Sequence, residues 1–579
     1  MGSMDTRSTW TWDDMVQNKP VDEARPIRVI CIGAGASGIC AGIRFPQKIK
    51  NLNLTIYEKN ADVGGTWFVN KYPGLRCDIP SPGYQFTFES NSQWSEFYAS
   101  GPEIQRYLQN VAKKYGVYDY CKFKHQFVSA TWHEDQCEWE VVFEDLEAKK
   151  KVIDRADIVV TATGILDKWE WPDIEGLHDF KGKLVHTADW DPSIQLHKDL
   201  RVALVGAGSS GVQLLPTLQP LVGHVDHYMK GRNWIAPVGF GGEEIAARGE
   251  YGNFKHPKDE LERFRKVPNA YKEFRERIEN SLNQAQLAIF TGTEVQKQFH
   301  QMCYDSMTEK LKDRPDILNT LLPDFPVGCR RLTPGPGYLE ACLADNVDFI
   351  GMPIKKVHEH GIETADGKIR EIDLLICATG YDVSRQGELP FVGQGGITLD
   401  EVWNPIPEAY LSMCPPKMPN LLMFLGPNGG PGTGGTIFMI ENVCDYMTKM
   451  IQKVQREYIR SFVVKEAANK AFSAHVDRYF SKTVFTAPCK SWYKRGQPNG
   501  RLVTPWPGSG VHARKALQEV CYEDFDYEYH PVTKENKFAW LGDGLTYGQQ
   551  YGPKAVDYLD DIDYPAVKDA TVDTGVPAV

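Results

Sequence analysis

One arrangement occurs twice in this chain: a short apolar run stops at Gly-x-Gly-x-x-Gly and gives way to residues at helical spacing. Arg28 to Ile32, with Val29-Ile30-Cys31-Ile32 at its centre, runs into Gly33-Ala34-Gly35-Ala36-Ser37-Gly38, and Ile39 opens a helical pattern. Arg201 to Val205 runs into Gly206-Ala207-Gly208-Ser209-Ser210-Gly211, followed by Val212-Gln213-Leu214-Leu215. Each first glycine permits a tight turn, each second lets the backbone approach a pyrophosphate, and each third lets helix pack on strand. A single such turn is weak evidence, but two in strand–turn–helix context constrain the chain to an α/β protein with two Rossmann-like dinucleotide-binding domains.

The two turns differ in the residues downstream of them. Leu54-Thr55-Ile56-Tyr57 ends in Glu58, 20 residues past Gly38, where a ribose hydroxyl pair needs an acceptor; Lys59 comes next. In the second half the corresponding position, 19 residues past Gly211, is Lys230, with Arg232 close by. A basic residue there suits a 2′-phosphate, with a solvated surface lysine as the alternative. An acid in one half and a base in the other imply two dinucleotides, FAD in the first and NADPH in the second. Ala156 to Gly164 and Asp373 to Gly380 are each a strand ending in Ala-Thr-Gly (Thr379-Gly380 in the second), and are expected to carry the chain between the two domains.

Composition narrows the partners. The length of 579 residues suggests about three or four domains, and 42% hydrophobic with 24% charged residues is ordinary for a globular protein. A net charge of −11 argues against nucleic acid as a partner. No run approaches the ~18 apolar residues of a membrane span, so no membrane association is expected. Met1 to Lys19 lacks the apolar stretch of a secretory signal, Met1-Gly2-Ser3 reads as a cloning remnant, and Gly575 to Val579 matches no sorting signal. A cytoplasmic monomer or weak homo-oligomer is the expectation. The thirteen cysteines are scattered without a C-x-x-C, so reduced structural thiols and no metal centre are expected.

Two further segments are specific. Gly64-Gly65-Thr66-Trp67 with Tyr72-Pro73-Gly74 and Asp78, and Phe180-Lys181-Gly182 through His186-Thr187 to Trp190-Asp191, both lie between the glycine turns. Over roughly Arg28 to Tyr529 the chain resembles the class B flavoprotein monooxygenases, and both segments match fingerprints of their type I Baeyer–Villiger members. The resemblance implies an enzyme that uses FAD, NADPH and O2 to insert oxygen next to a ketone carbonyl through a flavin C4a-peroxide, giving an ester or lactone, with sulfoxidation as a side activity. It implies Arg331 as the catalytic arginine and Asp78 as the residue that orients it. Arg330 takes the place of a residue that helps hold the 2′-phosphate, and Trp492 that of a mobile-loop tryptophan reaching the nicotinamide cofactor. Gly65, Thr66, Trp67, Tyr72, Tyr84 and Asn428 are expected to contact cofactor. Phe180, Gly182, His186, Thr187 and Trp190 are assigned to interdomain coupling rather than proton transfer. The alternative is an N,N-dimethylaniline-type flavin monooxygenase oxidising soft nitrogen or sulfur. A flavin disulfide reductase would need a closely spaced cysteine pair, which is absent.

The expected division is a discontinuous FAD domain (10–165 and 390–545), an NADP domain (166–238 and 327–389), a helical insertion (239–326) and a C-terminal tail (546–579). The insertion follows from the Glu, Lys, Gln, Ala and Leu content of Glu243 to Leu322, which favours helix without a persistent heptad. Gly426 to Gly435 is unusually glycine-rich and precedes an expected helix, Ile437 to Ile451, containing Glu441.

Overall fold

The computed structural model describes residues 10–237, 240–250, 252–383, 389–552, 554–556 and 559. Met1-Gly2-Ser3 and tail residues 553, 557–558 and 560–579 lie outside the described residues.

The first glycine turn follows the central strand of a five-stranded parallel sheet. Its order is Leu421–Met423, Ile158–Thr161, Ile27–Ile32, Leu52–Tyr57 and Cys121–Lys122. Side chains alternate across a strand, so the central strand supplies two cores at once. Val29 and Cys31 face helices that include Ala36–Lys48 and Thr436–Arg456. Ile30 and Ile32 face a four-stranded sheet containing the antiparallel ladder His125–His133, Glu138–Asp145 and Lys150–Ala156. Burial on both faces explains why this strand reads as a continuous apolar run.

The second turn repeats the plan. Its parallel sheet runs Val347–Ile350, His224–Tyr228, Arg201–Val205, Leu374–Cys377 and Lys183–His186. Val202 and Leu204 pack on the helix Ser209–Leu218, while Ala203 and Val205 pack toward a three-stranded antiparallel sheet, Ile354–His358, Gly361–Thr364 and Ile369–Glu371. In both halves a turn glycine abuts the chain at Ala-Thr-Gly. Gly33 has φ +106° and a Cβ there would sit 2.5 Å from the Ala162 carbonyl; Gly206 has φ +109° and would meet the Ala378 carbonyl at 2.4 Å. The duplicated tripeptide is thus the floor of each turn, and the glycines are sterically required.

The segment inserted between two strands of the second sheet, His224–Tyr228 and Val347–Ile350, is helical, with Gly242–Ala247, Lys258–Lys266, Ala270–Gln284, Glu294–Lys310 and Pro315–Leu321. It serves both cores: Ile245, Phe264, Phe274 and Ile278 join the first, whereas Cys303, Met307, Ile317 and Leu321 join the second. Near the C-terminal end, Asp543 N–H donates to the Lys19 carbonyl and Val21 N–H to the Leu545 carbonyl, so this stretch is stitched to the N-terminal segment.

The cysteines need a correction. Eleven are unbonded thiols, but Cys329 and Cys489 form a disulfide across a sequence separation of 160 residues, with Cα atoms 6.5 Å apart. The expectation of thirteen reduced thiols rested on spacing along the chain, and spacing carries no information about two loops that meet only in the fold. No helix among the described residues is long and apolar enough to cross a membrane.

Candidate active site

Three segments converge on Asp78. The loop from Gly64 to Asp78 leaves the first half and lies against the second-turn helix: a Cβ on Gly74 would sit 2.4 Å from Thr217 Oγ1. Gln213 joins the two. Its Nε2 donates to the Arg76 carbonyl (3.0 Å), and its Oε1 accepts from Tyr72 Oη (2.9 Å) and from Arg76 N–H (3.4 Å). From the far side comes the 329–331 loop. Arg331 Nε and Nη2 donate to Asp78 Oδ2 and Oδ1 at 2.9 and 2.7 Å, a bidentate pair with both side chains partly buried. The Asp78 charge raises the guanidinium pKa above its usual value, so Arg331 is cationic throughout the working range. On the Asp78 side of the pair opens a cavity of about 370 Å³ lined by residues of the Asp78 loop and the second-turn helix, among them Arg76, Asp78 and Gln213, and by Glu96, Asn253 and Pro334 from neighbouring segments.

Tyr493, which sequence reasoning passed over in favour of its neighbour Trp492, sits buried beside Arg331; burial raises its phenol pKa and the Arg331 charge partly offsets that. Trp492 itself is half-buried, its ring 4.6 Å from that of Tyr493. Gln213 was also missed. Its signal was a lone amide inside an otherwise apolar helix start, Val212-Gln213-Leu214-Leu215.

The first dinucleotide cradle is closely built. A Cβ on Gly38 would lie 2.0 Å from the Gly33 carbonyl, and Gly35 faces the Gly65 backbone, where a Cβ on Gly65 would come within 3.0 Å of Gly35 Cα. Glu58 is buried at the end of its strand. Its Oε2 accepts from Ala34 N–H (2.7 Å), and its Oε1 from Asn60 N–H (2.8 Å) and Asn60 Nδ2 (2.7 Å). Three donors hold the carboxylate at the glycine turn. Ser37 is buried under the turn, and Lys59 pairs outward with Asp167 at 2.7 Å. Thr66 starts a short helix and Trp67 Nε1 donates to Tyr84 Oη at 3.0 Å. Asn428 is buried with its amide donating to the Leu502 and Pro505 carbonyls, which anchors the Gly426–Gly435 segment to the chain beyond Trp492.

The second cradle is open. Nothing lies within 4 Å of a Cβ placed on Gly208, whereas Gly211 repeats the tight contact of Gly38, at 2.1 Å from the Gly206 carbonyl. Ser209 and Ser210 head the helix, and Lys230 and Arg232 are exposed. Arg330 reaches this corner: its Nη1 donates to the Arg232 carbonyl at 3.1 Å, its guanidinium lies over Phe325, and its buried Nε finds no hydrogen-bond partner among the described residues. An orphaned guanidinium donor next to two exposed cations fits a phosphate.

The second fingerprint is a scaffold around one histidine. The Phe180 ring packs on Gly182, where a Cβ would lie 2.5 Å from the ring. His186 stacks on Trp169, with centroids 4.4 Å apart and planes within 5°. Its Nδ1 accepts from Ala188 N–H, so the proton resides on Nε2, 3.1 Å from Thr379 Oγ1 in the second Ala-Thr-Gly. Burial pulls its pKa down to about 4, which leaves it neutral near pH 7. Thr187 N–H donates to the Cys377 carbonyl, Trp190 is buried in the second core, and Gly380 has φ +91° in open space. Away from all this, His224 Nε2 lies 3.4 Å from carboxylate oxygens of both Asp226 and Asp348 on the second sheet.

Residues 26–236 match the flavin-binding monooxygenase-like family. An FAD-binding monooxygenase of Aspergillus terreus, tazF, is 37% identical over 525 residues, covering 90% of this chain and 92% of its own. A Baeyer–Villiger monooxygenase of Pseudomonas aeruginosa is 32% identical over 84% of this chain and 88% of its own. Among solved structures, the NADP+-bound cyclohexanone monooxygenase of Rhodococcus sp. Phi1 superimposes with a TM-score of 0.75 at 25% identity, over 87% of this chain and 100% of that one. The fold and the paired cradles are those of two-dinucleotide flavoproteins. The chain belongs to the flavin-binding monooxygenases, as a class B flavoprotein monooxygenase.

Proposed function

We propose that this FAD- and NADP-dependent monooxygenase is a Baeyer–Villiger enzyme, which with NADPH and O2 inserts one oxygen atom next to a ketone carbonyl to give an ester or lactone. The observation that carries this reading is the bidentate Arg331–Asp78 pair beside a cavity where both halves of the molecule meet. The names of the Pseudomonas and Rhodococcus relatives support it.

Bound FAD and NADPH would supply hydride transfer and oxygen activation. Glu58 would accept from the flavin nucleotide's ribose, and Arg330, Lys230 and Arg232 would hold the 2′-phosphate. Arg331 would place a fixed positive charge next to the anionic oxygen that ketone oxygenation develops. One well-placed donor of that kind contributes on the order of 3–4 kcal/mol. Arginine suits this task because burial cannot strip its proton. Asp78 fixes the guanidinium's direction through two bonds. Oxidation of amines or sulfides needs an electrophilic oxygen and has no use for the pair, although sulfoxidation can accompany the ketone reaction. His186, neutral and wedged between Trp169 and Thr379, would position the interdomain strand rather than move protons. The domain boundaries we propose are 10–165 with 390–545 for FAD and 166–238 with 327–389 for NADP, with 239–326 a helical insertion in the NADP domain and 546–579 a C-terminal tail.

Arg331→Ala is the test. The variant is expected to retain yellow flavin while its kcat for lactone from a cyclic ketone falls about 10²–10³-fold. Undiminished lactone formation would overturn the assignment, and a wild-type enzyme that oxidises amines and sulfides but never ketones would place it in the rival class.

A further inference from the structure

The disulfide joins the two loops that the proposed chemistry depends on. Cys329 immediately precedes Arg330 and Arg331, and Cys489 precedes Trp492, Tyr493 and Lys494 by three to five residues. Lys494 sits at the cross-link. Its side chain is almost fully buried, yet Nζ donates to the Ala487 carbonyl (2.6 Å) and the Pro498 carbonyl (2.8 Å), and lies 3.9 and 3.7 Å from the sulfurs of Cys329 and Cys489. Each sulfur is itself buried, but Pro488 and Lys490 on either side of Cys489 are exposed, so lifting a few residues brings the bond to solvent.

We propose that Cys329–Cys489 is a reversible thiol–disulfide site that takes a dithiol reductant, and that its state sets how firmly the Trp492–Tyr493 turn is held against the Arg331 loop. In the exchange, a donor thiolate attacks one sulfur, the Cys329–Cys489 bond breaks, and a mixed disulfide forms. The donor's second thiol then displaces the remaining cysteine. Two electrons and two protons pass from the donor, which leaves as a disulfide, and both cysteines end as thiols. Lys494 is a positioning residue here: a cationic neighbour stabilises a departing thiolate, which speeds the step in which sulfur leaves. Once the bond is open, Tyr493 stays near Arg331 through non-covalent contacts alone, and the effective concentration of the turn at the nicotinamide side falls. This inference rests on the role proposed for Arg331 and on the contact with the nicotinamide cofactor that the resemblance implies for Trp492.

Thiol titration of the unfolded holoenzyme should find 11 thiols as purified and 13 after dithiothreitol, with reoxidation restoring 11. The reduced wild type and Cys489→Ser should both show a KM for NADPH about fivefold higher with kcat changed less than about twofold. Both should also be cut faster by trypsin at Lys490 and Arg495. Lys494→Met should slow reduction by dithiothreitol about tenfold at neutral pH, where a merely structural lysine would change stability and leave that rate alone. Thirteen thiols both as purified and after a mild oxidant would overturn the proposal. So would reduction to 13 that leaves KM and proteolysis unmoved. Chemical reduction of wild type keeps the test valid if Cys489→Ser does not fold. If Arg331→Ala still made lactone, the Baeyer–Villiger reading would fail on its own, since thiol count and proteolysis do not depend on it.

Discussion

The two dinucleotide cradles share a plan and differ in finish. In the first, Glu58, the proposed ribose acceptor, is buried and held by three donors from Ala34 and Asn60. In the second, the cations are exposed, Gly208 borders open space, and Arg330 is lent from a loop 98 residues beyond Arg232. A pre-set buried acceptor has no conformational freedom left to lose and suits a resident cofactor. Mobile surface cations give little affinity each and suit one that comes and goes.

The comparison can be broken at the glycines first. Gly38→Ala should yield flavin-free or insoluble protein, because its Cβ would overlap the Gly33 carbonyl, whereas Gly208→Ala should fold with full flavin and change only NADPH binding. Flavin content by absorbance decides; an intact Gly38→Ala holoenzyme would mean the first cradle yields more easily than its contacts imply.

Acid should separate the halves next. The second sheet contains His227, fully buried between the Leu204 carbonyl and Tyr338, and ends in His186; burial lowers both to about 4. No strand of the first sheet contains a histidine. A histidine lowered in the fold favours the folded state above the unfolded pKa of 6.5, and that stability is lost as pH falls toward 4. Each contributes on the order of 3 kcal/mol at most. Asp226, raised by burial, works the other way and trims the loss. Hydrogen exchange between pH 6.5 and 4 should show the second sheet opening before the first; simultaneous opening would refute this.

Glu58→Ala should then weaken FAD by about 2 kcal/mol, roughly 30-fold, measured by flavin release on dilution. Smaller still, Arg330→Ala should cut the preference for NADPH over NADH about tenfold, and Lys230→Ala or Arg232→Ala about two- to threefold each. Ratios of kcat/KM for the two nucleotides sharpen the ranking, and equal effects from all three would erase the distinction between half-buried and exposed cations.

Much of the fold was legible in the sequence because tight turns leave few choices. Gly33 and Gly206 must be glycine to clear the Ala162 and Ala378 carbonyls, so both turns and their Ala-Thr-Gly partners announce themselves. The spacing of Phe180 and Gly182 is likewise a ring on a backbone. What escaped depends on tertiary encounter. The antiparallel ladder over 125–156 lacks the glycine punctuation that marked the parallel strands. Gln213 acts on a loop more than 130 residues away, and Cys329 and Cys489, 160 residues apart in the chain, meet only in the fold. Tyr493 was hidden by a more conspicuous neighbour.

Gln213 also has a mechanical meaning. One amide holds Tyr72 and both backbone groups of Arg76, so the loop bearing Asp78 and the helix of the second cradle are riveted at a single point. A rivet with three bonds on one side chain does not slip by degrees: a shift large enough to break one of them strains the other two. Any relative shift of the nucleotide halves at this seam would therefore have to give up all three bonds together, and Asp78, two residues past Arg76, would move with the loop they hold.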